Sequence, residues 1–176
     1  LKYGITSNTT LDLTTRTDFA QIESDHEIIS LTRYNISYPE KRDFFLEGAE
    51  TFDFTQGNMR HFYSRRIGLT PDRRLMPILG GAKLTQKNRS YRLGILTMQT
   101  EEAYGYPSTN YTVARVKKDV LEQSYIGFLL TSLLDTENHD NQVYAMDFGY
   151  KTNRFIGDKN LEIQGYLAGS VTDSDT

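Results

Sequence analysis

The stretch VYAMDFGYK, Val143–Lys151, decides the fold. Tyr144, Met146, Phe148 and Tyr150 fall on one face, and Val143, Ala145, Asp147, Gly149 and Lys151 on the other. A period of two belongs to a β-strand whose two faces meet different surroundings. The pattern recurs around this segment. Asn160–Ser170 sets Leu161, Ile163, Gly165 and Leu167 against Glu162, Gln164, Tyr166 and Ala168. Ser124–Ser132 sets Ile126, Phe128 and Leu130 against Tyr125, Gly127, Leu129 and Thr131. Asn110–Lys118, Ser90–Gln99 and Gly80–Gln86 alternate in the same way, so the spacing predicts a six-strand meander over residues 80–171.

Composition agrees. The chain has 12 tyrosines, 9 phenylalanines, 13 glycines and no tryptophan, with a hydrophobic share of 38%. Tyrosine and glycine with modest hydropathy suit strands and turns, and no window holds a capped 3.6-residue period, so the fold class is all-β. A length of 176 residues fits one domain or part of a larger one. The net charge of −3 gives no basic face for nucleic acid. Without cysteine there are no disulfides and no thiolate zinc sites. No apolar run approaches the roughly 20 residues of a membrane-spanning helix. The chain opens at Leu1 without a methionine or signal peptide, so it is expected to be a mature or excised portion of a protein.

The connections between the strands bear on their solvent. Lys87–Arg89 and Asp119–Gln123 are short; Thr100–Thr109 and the acidic Asp135–Asn141 are longer; Thr152–Lys159 is intermediate. Short turns alternating with longer polar loops are the habit of transmembrane barrels, whose strands need about 9–11 residues to cross tilted. A soluble β-sandwich shows the same alternation along each strand. In the barrel case Tyr144, Met146, Phe148, Ile126, Phe128, Leu130, Leu161 and Ile163 face lipid. Lys83, Arg92, Arg115, Lys117, Asp147, Lys151 and Glu162 then point into the lumen as a charge ladder. Gly94, Ala145, Gly149 and Ala168 leave room on that charged face for long polar side chains. Tyr91, Tyr111 and Tyr144 serve as interfacial girdle residues or as ordinary cross-strand pairs.

The first half is less regular. Leu1–Thr15 alternates and is expected as the first wall strand, and Glu27–Ser37 as a further strand with mixed faces. Residues 16–79 otherwise form an irregular lumenal or periplasmic segment. Acidic Glu40, Asp43, Glu47, Glu50 and Asp53 precede basic Arg60, Arg65, Arg66, Arg73 and Arg74. The arginines are either an anion site or partners for the acidic block, since buried charges must find partners; pairing is the expectation. YPEKRDFFLEG, residues 38–48, is expected to turn the chain, neutralise its charges locally and cluster Phe44, Phe45 and Leu46.

The runs DFAQIESD (18–25), LTRYNISYPEKRDFFLEGAETFDF (31–54), FYSRRIG (62–68) and PILGGAKLT (77–85) resemble the signature of a Bacteroidetes outer-membrane family. Its members are labelled DUF5916 or carbohydrate-binding family 9 domain-containing proteins. Pro39, Glu40, Lys41, Arg42, Phe44, Phe45, Glu47, Gly48, Arg65 and Arg66 match the signature, whereas Tyr38 and Asp43 stand where phenylalanine and proline are expected. The resemblance implies part of a large outer-membrane barrel, preceded by a sandwich resembling carbohydrate-binding family 9. It thereby implies lipid as a partner, carbohydrate through that missing domain, and a larger outer-membrane complex.

Sites of other kinds were sought in the sequence. His26, His61 and His139 share no metal-ligand spacing, and the acidic run around His26 reads as a solvated turn. No nucleophile elbow, phosphate loop or zincin motif is present. The expected protein is therefore a non-enzymatic outer-membrane anchor or accessory subunit without a cofactor or metal. The alternatives are a saccharide-conducting pore, a soluble carbohydrate-binding sandwich and, last, a membrane-associated hydrolase. The first and last wall strands are expected not to pair with each other, leaving an open sheet.

Overall fold

Eight strands form one antiparallel sheet: β1 (Lys2–Thr6), β2 (Thr9–Thr15), β5 (Ile78–Lys87), β6 (Tyr91–Thr100), β7 (Thr109–Val120), β8 (Ser124–Asp135), β9 (Asn141–Phe155) and β10 (Lys159–Thr172). Each strand pairs with its neighbours in that order, and β1 and β10 are the two free edges. A separate ribbon pairs β3 (Thr55–Gln56) with β4 (Met59–Arg60). This computed structural model describes residues 1–16, 39–56, 59–72, 74–137 and 139–173. The strand expected at Glu27–Ser37, the acidic turn at His26, Tyr38 and Arg73 lie outside the described residues.

All six meander strands form where the period of two places them, five of them extended by a few residues and β6 shifted by one. Leu1–Thr15 differs from the single strand expected. It folds into a hairpin turning at Ser7 and Asn8, with Lys2 opposite Asp12 and Gly4 opposite Thr10. A register shift between Gly4 and Thr6 pairs residues of like parity beyond it, Tyr3 with Leu11 and Lys2 with Asp12, so the alternation runs on through the reversal and cannot detect it. The Ser-Asn pair was the available signal, and the Asn8 amide donates to the Thr6 hydroxyl at 3.3 Å. The β9–β10 connection is also tighter than its sequence suggests. Ile156 and Gly157 both take positive φ, 47° and 86°, the handedness that joins twisted strands tightly.

Connection length sorts by end. Turns at 7–8, 88–90, 121–123 and 156–158 lie at one end of the sheet, and the connections 16–77, 101–108 and 136–140 lie at the other.

The two faces differ sharply. Two single-turn helices, α1 (Asp43–Leu46) and α2 (Ala49–Phe52), and a 3-10 turn at Ser64–Arg66 belong to the segment that covers one face. Phe45, Phe52, Phe54 and Ile67 from that segment form a single buried cluster with Leu96, Met98, Val113, Leu129 and Ala145 of the sheet. Burying each large apolar side chain contributes roughly 1.5–3 kcal/mol. Close approach of α2 requires Gly94, because a Cβ there would meet the Phe52 ring at 2.8 Å. The room left by this small residue is thus filled by an aromatic ring rather than by a long polar side chain. Leu46 also departs from expectation: it is 46% exposed while Phe44 and Phe45 pack.

The opposite face is uncovered. Tyr144, Phe148, Phe128 and Ile163 are 52%, 42%, 50% and 48% exposed. Met146, Ile126, Leu130 and Leu161 on the same face are half-buried. Among the described residues no second large sheet packs against them. Tyr111 lies on the covered face against the core, so it cannot join a girdle with Tyr91 and Tyr144.

Candidate functional site

The candidate site is the covered face, because that is where the sheet's charges converge. Register places Lys83, Arg92, Arg115, Lys117, Asp147, Lys151 and Glu162 on this one face. Three contacts organise it.

The first is Arg115 with Asp147. Nη1 and Nη2 donate to Oδ1 and Oδ2 at 2.6 and 2.8 Å, and the two side chains are 1% and 4% exposed. Arg115 stands on β7 and Asp147 on β9, so the pair bridges β8 at Gly127. The guanidinium also lies 4.7 Å from the Phe54 ring, which binds the covering segment to the sheet. Behind Phe54, His61 packs edge-on at 4.7 Å, and Tyr166 of β10 closes on both rings.

The second is Lys83. Its ammonium donates to the carbonyls of Phe44 and Glu47 at 2.5 and 2.7 Å and lies 3.4 Å from the Asp12 carboxylate. One buried cation thus joins β2, β5 and the end of α1, where the last carbonyls of a helix carry partial negative charge. Asp12 lies in the alternating Leu1–Thr15 segment, where nothing in the sequence marks it as the partner of Lys83.

The third lies within the covering segment. Arg42 donates to both Glu40 oxygens at 2.9 Å and to the carbonyls of Ile67 and Ser64 at 2.9 and 2.8 Å. The Ser64 hydroxyl donates to Glu40 at 2.6 Å, and the Arg42 guanidinium sits 4.0 Å from the Phe45 ring. Burial pushes the Glu40 carboxyl up, but the hydrogen bonds and charge of Arg42, with Ser64, outweigh it and hold the group below the ordinary carboxylate range. Arg65 donates to the Pro39 carbonyl. Glu47 pairs instead with Lys2 of β1 at 2.9 Å, and Gly48 precedes α2 in the left-handed region at φ 70°. The Lys41 amide donates to Glu40, and the Arg66 amide to the Tyr63 carbonyl. The signature residues are therefore a folding device. Within the acidic block, Glu40 is answered by Arg42, two residues away.

Lys151 and Glu162 pair at 2.7 Å near the free edge, and Arg92 approaches Asp119 at 3.7 Å. Lys117 lies 3.4 Å from the Tyr125 ring. Among the described residues no cluster of histidine and carboxylates is placed to hold a metal ion. The arrangement anchors and neutralises.

A family model described as a domain of unknown function, DUF5916, matches residues 1–93. No curated protein and no solved structure matches the chain.

Proposed function

The chain belongs to the DUF5916 family, and we propose that it is part of the wall and filling of an outer-membrane β-barrel acting as a non-enzymatic surface anchor or accessory subunit. One observation carries this: the sheet exposes its apolar face and buries its charged one. A soluble domain hides contiguous apolar surface. Here it lies in register rows: Leu84, Ile95, Ala114, Leu130 and Tyr144; then, after Gln86, Leu93, Val116, Phe128 and Met146; then Tyr91, Ile126 and Phe148, with Lys118 between the first two; then Tyr150 and Ile163. Rows two residues apart climb about 6.6 Å each, so the three steps between four rows cover about 20 Å along the strands. Along the normal of a tilted wall they cover less, part of the ~25 Å apolar band of outer-membrane barrels. Beyond them Thr97, Thr112, Ser132 and Gln142 form a polar row. The sorted turn lengths fit the same orientation, with short turns periplasmic.

The sheet is open, and the free edges β1 and β10 call for further strands to complete the ring. Association with carbohydrate binding or uptake is what the signature resemblance adds. A saccharide pore is the rival, and the segment packed on the charged face disfavours it.

The complete protein tests this in two steps. It should remain with membranes after alkaline washing and require detergent for solubility; recovery in the soluble fraction overturns the barrel. Reconstituted in planar bilayers it should carry no single-channel current, whereas steady conductance steps would replace the anchor with the pore.

A further inference from the structure

Lys87, Arg92 and Lys117 stand directly opposite one another on β5, β6 and β7, all on the covered face. Neighbouring strands lie about 4.8 Å apart, and like charges placed directly opposite destabilise a sheet. The row continues through Gly127 to Asp147, but Arg115 already holds that carboxylate in both of its oxygens. Among the described residues Asp119 answers Arg92 at 3.7 Å, and neither Lys87 nor Lys117 forms an ion pair. Half-buried Lys117 has the Tyr125 ring as its neighbour instead, at 3.4 Å.

Beside this row the surface sinks into a recess of about 460 Å³, lined by Arg89, Arg92, Lys117, Asp119, Glu122 and Tyr125. The volume accommodates a tetrahedral oxyanion with its first waters. Arginine offers a planar fork and lysine a point charge, the two complements of a phosphate group. Asp119 and Glu122 also line the recess and oppose an anion there, so the seat is confined to the space between Arg92 and Lys117.

We propose that this recess, at the short-turn end of the covered face, binds a single phosphate-type anion seated between Arg92 and Lys117. The phosphate can be free or the headgroup of a phospholipid. Binding relieves the repulsion along the Lys87–Arg92–Lys117 row, so the anion stabilises the fold by mass action.

The test titrates the complete protein in non-ionic detergent with inorganic phosphate, against sodium chloride at equal ionic strength, following the unfolding midpoint. Phosphate should raise the midpoint saturably beyond chloride. Lys117→Met should weaken that response at least tenfold while unfolding no earlier than wild type without phosphate, since the substitution removes a like charge. Lys151→Met, which disrupts a different pair, should leave the phosphate response unchanged. A second arm replaces phosphate with micelles doped with phosphatidylglycerol; a Lys117-dependent rise only there assigns the headgroup as the source. Equal responses to phosphate and chloride with no effect of doped micelles, or an undiminished response in Lys117→Met, overturn the proposal and leave the row a solvated charge strip.

Discussion

Arg115 reaches Asp147 across an intervening strand, and the crossing point is Gly127. A Cβ at that glycine would lie 2.3 Å from Asp147 Oδ1 and 2.7 Å from Arg115 Nη1. Gly127→Ala should therefore displace the pair and destabilise the protein by about 1–3 kcal/mol, the range of an overpacked core. Asp147→Asn should cost more, about 3–5 kcal/mol, because it strands a buried guanidinium. Denaturant unfolding in detergent measures both; an alanine at 127 without effect would show that the pair does not pass over that position.

Lys83 makes a separate prediction about the covering segment. Lys83→Met removes the donor to Phe44 and Glu47 and leaves buried Asp12 with only the exposed Lys2 opposite it. The expected loss is about 3–5 kcal/mol, and adding Asp12→Asn should recover part of it. Hydrogen exchange should quicken at residues 43–52 before it quickens in β7 and β8. Uniform quickening would mean that Lys83 supports the sheet as a whole rather than the attachment of α1.

Phe148 tests the open face. Phe148→Arg should cost ~2–4 kcal/mol if the residue lies near the bilayer midplane, while Phe148→Leu should be nearly neutral. Folding yields into liposomes report the difference. Comparable stability of the arginine variant would mean that this face meets water.

Glu40 predicts an acid limb. Its folded carboxyl is held below the ordinary value of 4.5, so its contribution is fully present above that value and disappears as pH falls through the depressed one. Glu40→Gln should be less stable at neutral pH and should flatten the decline over this acid window. Parallel pH profiles for variant and wild type would exclude Glu40 as its source.

Strand positions and faces were legible because a period of two registers burial residue by residue, and the register sets the charges from Lys83 to Glu162 on one face. What joins those charges was not. The Arg115–Asp147 contact runs diagonally across a third strand, and nothing local in either segment marks it. The hairpin at Ser7 and Asn8 hid behind unbroken alternation. Phe54 and Phe52 carried no periodic signal, because their single helical turns and irregular backbone are shaped by the sheet beneath them. Tyr111 was misjudged by position along the strand where parity would have placed it correctly.

The chain leaves the sheet after Thr15 and rejoins it at Ile78 on the adjacent strand, so the described residues that cover the charged face enter through one gap between hydrogen-bonded neighbours. Sheet and covering segment are therefore nearly independent in length. Doubling a flexible connection adds only about 0.6 kcal/mol of closure entropy, and the β2–β5 register is fixed by its own ladder, not by what the excursion contains. A lineage could lengthen, shorten or exchange the covering segment while retaining the sheet, provided that Lys83 keeps a carbonyl to hold and Gly94 a ring to admit.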